Sequence, residues 1–189
     1  GIDGSGKTTQ AKLLAVWLRD RGREVLETFE PTHGPYGLKY RAWARGELEE
    51  KPETVLRWFV EDRREHVDRV IQPALSRAEV VLCDRYAAST RAYQAAQGVD
   101  HALLCRTLDA ESFPDPDVTL WLRVPVAIAV KRMGAAATER FERADFLARV
   151  DAEYARRGLE PIDAGGSPEQ VQAERRRRVA PLLGDPRGP

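Results

Sequence analysis

The chain has 189 residues, 42% of them hydrophobic, which is enough for one domain with a buried core. Its 30 basic and 30 acidic side chains cancel, so no partnership with nucleic acid through bulk electrostatics is expected. The two cysteines, Cys83 and Cys105, make no disulfide framework or metal-ligand spacing, no apolar run reaches membrane-spanning length and no signal peptide is visible. The expected setting is therefore soluble, reducing and cytoplasmic, with no membrane partner.

The first element in chain order is a loop. Gly1-Ile2-Asp3-Gly4-Ser5-Gly6-Lys7-Thr8 is a complete G-x-x-x-x-G-K-[ST] phosphate-binding pattern. Its glycines let backbone N–H groups converge on one spot, and a helix starting near Gly6 adds the positive end of its dipole there. Leu13, Leu14, Trp17 and Leu18 give that helix one apolar face. Such a loop normally follows a buried strand. The chain begins at the loop's first glycine, so the first strand is read as missing from it.

Arg23 to Phe29 reads as a strand, followed by the Pro/Gly-rich loop Glu30-Pro31-Thr32-His33-Gly34-Pro35-Tyr36-Gly37. Residues 36–46 read as helix. A long helix is expected from about Pro52 to Ser76, with Val55, Leu56, Phe59, Val67, Val70 and Ile71 spaced for burial. Glu79 to Asp84 is a short apolar run ending in an acid, as a central parallel strand does. Helical patterns follow at 87–97 and 100–110, then a strand at Val118 to Leu122 and a helix from Pro125 to about Met133. The small residues 134–137 read as a hinge. A helix through about Arg157 and a strand at Pro161 to Asp163 come next. Ser167-Pro168-Glu169 opens the last helix, with Ser at the N-cap and Pro at the first position. The tail after Leu183 is Gly/Pro-rich and expected to fray. This alternation predicts an α/β fold, one three-layer αβα domain over residues 1–189 with a parallel sheet. Four strands are visible, and the missing one makes five.

A second chemical cluster is Asp84-Arg85-Tyr86, at the end of a predicted strand across the sheet from the phosphate-binding loop. An acid there can hold Mg²⁺ through water, and the arginine can fork onto a phosphate. Ser89-Thr90-Arg91-Ala92-Tyr93-Gln94 follows on the next helix. His33, His66 and His101 are scattered and form no metal constellation, and His66 reads as structural. Trp17, Trp43, Trp58 and Trp121 read as packing residues. Arg175 to Arg178 reads as the solvated face of a terminal helix.

Five stretches in this order resemble the thymidylate kinases, members of the P-loop nucleoside monophosphate kinase group. They are Gly1 to Gln10; Glu30-Pro31; Phe59-Val60-Glu61-Asp62-Arg63 with His66; Asp84-Arg85-Tyr86 with Ser89, Ala92, Tyr93 and Gln94; and Arg140-Phe141-Glu142. Ile162-Asp163-Ala164 extends the match. The resemblance implies a P-loop NTPase fold, a short lid over about residues 133–145, a homodimer, and transfer of a phosphoryl group from ATP to dTMP with Mg²⁺. It implies ATP binding by Gly1, Ile2, Asp3, Gly4, Ser5, Gly6, Lys7, Thr8 and Thr9, with Arg132 and Arg140 from the lid side, and a metal held by Thr8 and Asp84. The dTMP site it implies is Asp3, Glu30, Arg41, Phe59, Arg63, Arg85, Ser89, Thr90, Tyr93 and Gln94. In that site Phe59 stacks on thymine, Arg63 donates to its exocyclic oxygen and Thr90 meets the base edge. Tyr93 presses on the deoxyribose, Asp3 accepts from the 3′-hydroxyl, and Arg85 and Arg41 hold the acceptor phosphate. Periodicity alone favours plain core packing for Phe59. Some members carry a basic residue inside the loop where this chain has Gly4 and Ser5. The resemblance then assigns the catalytic charge to Lys7, Arg85 and a lid arginine, Arg140 first and Arg132 or Arg143 next. The alternatives are a deoxynucleoside monophosphate kinase of different or broader base preference, and an ATP-binding module without turnover.

Overall fold

The structure is a computed structural model and describes residues 1–77, 79–134 and 143–184. Its first helix, α1, spans Lys7–Arg19 and is capped by Gly6 at φ 86°, a left-handed conformation that glycine adopts without strain. Strand β1, Val25–Phe29, follows a tight turn, and α2 covers Pro35–Ala44 with its proline in the first turn. Helix α3 runs Pro52–His66 and continues through a π-helical turn, Val67–Ile71, into α4, Gln72–Ser76. The expected long helix is therefore present with one widened turn. Gln72 N–H bonds to the Val67 carbonyl five residues back, and this wider winding precedes Pro73, which has no N–H to give.

Strand β2, Val80–Asp84, lies parallel to β1 in the register Val25↔Val80 to Phe29↔Asp84. Helices α5, Ala87–Ala96, and α6, His101–Asp109, come next, the latter capped by the Asp100 side chain on Leu103 N–H. Strand β3 is Trp121–Arg123, α7 Val126–Met133, α8 Ala144–Ala155 and β4 Pro161–Asp163. β3 and β4 are parallel, Trp121↔Pro161 to Arg123↔Asp163. Helix α9, Pro168–Val179, and a 3₁₀ turn, Ala180–Leu183, close the described chain.

The described residues hold four strands, the number visible in the sequence, in two parallel pairs, β1–β2 and β3–β4. The strand expected at 118–122 is shorter and shifted, because its ladder exists only where the three residues of β4 supply partners. Most of the predicted lid, residues 135–142, lies outside the described residues.

The main core gathers Trp43, Val55, Phe59, Tyr93, Trp121, Phe146, Leu147 and Tyr154 from α2, α3, α5, β3 and α8. A second cluster, Leu14, Trp17, Leu18 and Val179, joins α1 to α9. Trp17, Trp43 and Trp121 are buried packing residues, as expected. The arginine run on α9 is not uniformly solvated. Arg177 and Arg178 pair with Glu174, whereas Arg175 is 7% exposed, and its burial holds its pKa down at about 10. No described helix is long and apolar enough to cross a membrane.

Ser167 and Gln170 form a reciprocal capping box at the start of α9, with Ser167 N–H donating to Gln170 Oε1 at 2.9 Å. Ser167→Ala is expected to cost about 1 kcal/mol, read as a lower urea midpoint at unchanged slope.

Candidate active site

The phosphate-binding loop folds because its glycines permit two things a side chain forbids. Gly4 sits at φ +76°, and a Cβ there would fall 2.4 Å from the Ala129 carbonyl oxygen of α7. Gly6, also at positive φ, turns the chain into α1, so the N–H groups of the helix's first turn face the loop. Lys7 folds back over the loop, donating to the Ile2 carbonyl at 2.8 Å and lying 3.5 Å from Asp3.

Asp3 is the centre of the site. Its carboxylate accepts from Arg85 Nη2 and, at 2.9 Å, from the Tyr93 hydroxyl. Burial pushes its pKa up, but the Arg85 and Lys7 charges and the Tyr93 bond outweigh that and hold it at about 2. Lys7 is depressed to about 8, chiefly by burial and then by the Arg85 charge, with Asp3 and Asp84 opposing. Burial lowers Arg85 most, but Asp3 together with Tyr93 and Tyr154 outweighs it and holds Arg85 well above the usual range. Two cations thus lean on one carboxylate, with Asp84 acting on Lys7 as a second acid. Arg85 is the only described non-glycine residue with positive φ, at 71°, and its carbonyl accepts from the Cys83 thiol at 2.9 Å. Such a conformation costs about 1 kcal/mol or more and turns the side chain back toward Asp3.

Beside this corner, Thr8 Oγ1 donates to Asp84 Oδ2 at 2.7 Å. Asp84 Oδ1 is buried without a protein partner. A hydroxyl and a carboxylate with one unused oxygen, next to a phosphate-binding loop, are the donor set a hard divalent cation takes.

A cavity of about 470 Å³ opens from these residues between the ends of β1 and β2 and helices α2, α3 and α5. Its walls include Asp3, Thr8, Glu30, Arg41, Phe59, Asp84, Arg85, Ser89, Thr90 and Tyr93, so most of the predicted acceptor residues converge. Phe59 lies 4.7 Å from the Tyr40 ring. Arg63 sits behind the wall, fully buried, with Nε and Nη2 on Glu30 Oε2 at 2.9 and 2.6 Å and Nη2 also on Thr90 Oγ1 at 2.8 Å. Its guanidinium faces the rings of Tyr86 at 4.7 Å and Phe113 at 5.6 Å, and Nη1 has no partner. Arg41 bends onto the Pro31 carbonyl at 2.5 Å.

Other predicted residues stand apart. Gln94 is fully buried and is not among the residues lining the cavity. Arg132 donates to the Ala164 carbonyl at 3.0 Å, away from the cavity. Ser5 is buried in the loop, Thr9 is exposed on α1, and Arg140 lies outside the described residues.

The profile of the thymidylate kinase family matches residues 1–174. The chain belongs to the thymidylate kinase family. It is 40% identical over 192 residues to the thymidylate kinase of Xanthomonas campestris, covering 98% of this chain and 82% of that one. Against the thymidylate kinase of Akkermansia muciniphila it is 38% identical over 185 residues, 95% and 88% of the two chains. Against that of Desulfotalea psychrophila the figures are 44% over 154 residues, 79% and 75%.

Sequence reasoning missed several groups in this kinase fold. Tyr40, one residue before Arg41 on α2, lines the cavity against Phe59. Thr28, on the inward face of β1, lines it too. Tyr154, near the end of α8, shares a 2.8 Å hydrogen bond with Ser89 and ties that helix to α5. An aromatic next to a predicted phosphate-binding arginine was a usable signal for Tyr40. No local pattern marks Tyr154, whose partner is far away in sequence.

Asp3 supplies the prediction here. Its pKa falls from 3.8 to about 2 on folding, so the stability it contributes is fully present above 3.8 and is lost as pH falls toward about 2. In urea unfolding, the advantage of wild type over Asp3→Asn should narrow across that window. A constant difference would show that the pairing does not set acid stability.

Proposed function

We propose that the Asp3–Lys7–Arg85 corner receives the phosphates of both nucleotides and that the cavity between α2, α3 and α5 receives thymidine. The protein transfers the γ-phosphoryl group of ATP to dTMP, giving dTDP and ADP. The observation that carries the assignment is the sharing of Asp3 by two cations at the junction of the loop and the cavity. A phosphate there can take Lys7 and Arg85 as its own partners in place of the carboxylate.

The division of labour follows from placement. Backbone N–H groups of Gly4 to Thr8 and the Lys7 ammonium bind the ATP phosphates. Arg85 moves from Asp3 to the acceptor phosphate, with Arg41 at the opposite wall. Freed from Arg85, Asp3 can accept from the 3′-hydroxyl. Tyr93, fixed by its bond to Asp3, leaves no room for a 2′-hydroxyl. Phe59 stacks on thymine, Thr90 meets the base edge, and the spare Nη1 of Arg63 donates to an exocyclic oxygen. Ser89, Gln94 and Glu30 support this wall. The acceptor phosphate is itself the nucleophile, so alignment and charge neutralisation suffice without a strong base. Mg²⁺ would be held by the Thr8 hydroxyl and, through water, by Asp84. There it would shield the phosphate charge. Arg140 and Arg132 complete the clamp from the lid, about residues 133–145.

The same reading sets the two described strand pairs in one parallel sheet. Gly1 packs against the Leu122 carbonyl of β3, which puts the start of the loop beside the second pair. A homodimer through the helices around α2 to α4 is supported by the exposed Leu38, Val70 and Leu75. We place the enzyme in the cytoplasm.

A coupled ADP-release assay with ATP and Mg²⁺ should give turnover with dTMP far above dUMP, dCMP, dAMP, dGMP and UMP. Preference for another monophosphate would overturn the roles of Phe59, Arg63 and Tyr93 while keeping the loop chemistry. ATP binding without acceptor-dependent turnover would overturn the reaction.

Lys7 gives a second test. In the free protein it loses its proton as pH rises through about 8. Since kcat/KM for ATP reports the free enzyme, it should fall about tenfold per pH unit above that value. A profile flat to about pH 10 would show that the Lys7 charge is not needed for capture.

A further inference from the structure

We propose that His66 is a positioning residue of the acceptor pocket, fixing the Glu30 carboxylate and through it the Arg63 guanidinium, without touching nucleotide. The inference rests on the reading of Arg63 as the base-binding cation. His66 ends α3 on the face that carries Phe59 and Arg63, four and three residues apart. It is 4% exposed and does not line the cavity, whereas Thr28 and Glu30, the two residues it touches, both do.

The hydrogen bonds leave little freedom. Glu30 Oε2 is taken by both Arg63 nitrogens, and Glu30 Oε1 faces His66 Nδ1 at 3.0 Å. A carboxylate only accepts, so Nδ1 carries the proton. His66 Nε2 then meets the Thr28 hydroxyl at 2.6 Å. Thr28 and Glu30 are two residues apart at the end of β1, so one imidazole pins both to α3. Glu30, His66 and Cys83 bring ligand atoms within 4.8 Å of one another. Both carboxylate oxygens and both ring nitrogens are already spent on protein partners, and the Arg63 charge adjoins them. The cluster is therefore a hydrogen-bond relay and not a cation site.

Remove the imidazole and Glu30 Oε1 is a buried acceptor with nothing to accept. The carboxylate can then rotate, and Arg63, fully buried, has only that carboxylate and Thr90 as hydrogen-bond partners. The cost falls on binding of the base. Groups around the reacting phosphates belong to Asp3, Lys7 and Arg85 and are not moved.

The test is steady-state kinetics on the full-length enzyme with ATP, Mg²⁺ and dTMP, for wild type, His66→Leu, Arg63→Gln and the double variant. His66→Leu should raise the dTMP KM about tenfold, with kcat and the ATP KM within about twofold. In the Arg63→Gln background the same change should add less than about twofold, because its effect passes through Arg63. His66→Asn, whose amide can still donate to Glu30, should return the dTMP KM to within about threefold of wild type. Should His66→Leu fail to fold, His66→Gln, which reaches Thr28 but not Glu30, takes its place in the cycle. A fall in kcat at unchanged KM, additive effects in the double variant, or no rescue by Asn would each overturn the proposal. An Arg63→Gln variant with an unchanged dTMP KM would instead overturn the base-pocket reading beneath it.

Discussion

The carboxylate of Asp3 ties together three elements of the site. It belongs to the phosphate-binding loop, accepts from Arg85 at the end of β2, and accepts from Tyr93 on α5. Lys7, at the start of α1, lies close to the same oxygens. Desolvation works against every charge in this group, yet Asp3 stays ionised and Arg85 stays charged because each is the other's compensation. Lys7 is depressed chiefly by burial, with the Arg85 charge adding to it. An incoming phosphate can replace Asp3 as the partner of both cations.

A second buried pair does a different job. Glu30 and Arg63 lie under the cavity wall, with side-chain exposures of 2% and 0%. A hydrophobic pair of the same volume would serve stability as well or better. What an ion pair adds is direction. The Arg63 guanidinium lies 4.7 Å from the Tyr86 ring and 5.6 Å from the Phe113 ring, with one nitrogen unspent. Specificity for a planar, oxygen-bearing base needs a donor fixed in angle as well as in place, and a polar network with few loose ends supplies that. Phe59 packs against Tyr40 at the cavity, and Tyr86 faces the guanidinium.

Local conformations carry part of the work. Gly4 and Gly6 spend backbone freedom to bring the loop against α7 and to launch α1. Arg85 has no such licence and holds positive φ all the same, which persists because Asp3, the Tyr93 ring and the Cys83 thiol fix it on several sides. The widened turn in the α3–α4 helix lies directly after His66, so the winding changes where the network ends.

Much of this was legible in the chain. The loop is written in consecutive residues, since its chemistry is local: glycine conformations, a helix start, one ammonium and one hydroxyl. Strand and helix alternation followed from periodicity, and the Ser167 cap from a four-residue pattern. The placement of Asp84 and Arg85 at a strand end followed from an apolar run closing on an acid. Tertiary structure decided which charges share a partner. Asp3 lies 82 positions from Arg85, and Glu30 lies 33 from Arg63. No window of sequence holds both members of either pair. It also decided that β3 is three residues long, that Arg175 is buried and that Gln94 stays behind the wall. Each depends on what another element supplies opposite it: ladder partners, cover or an opening. Periodicity names the face a residue is on, and only packing names what that face meets.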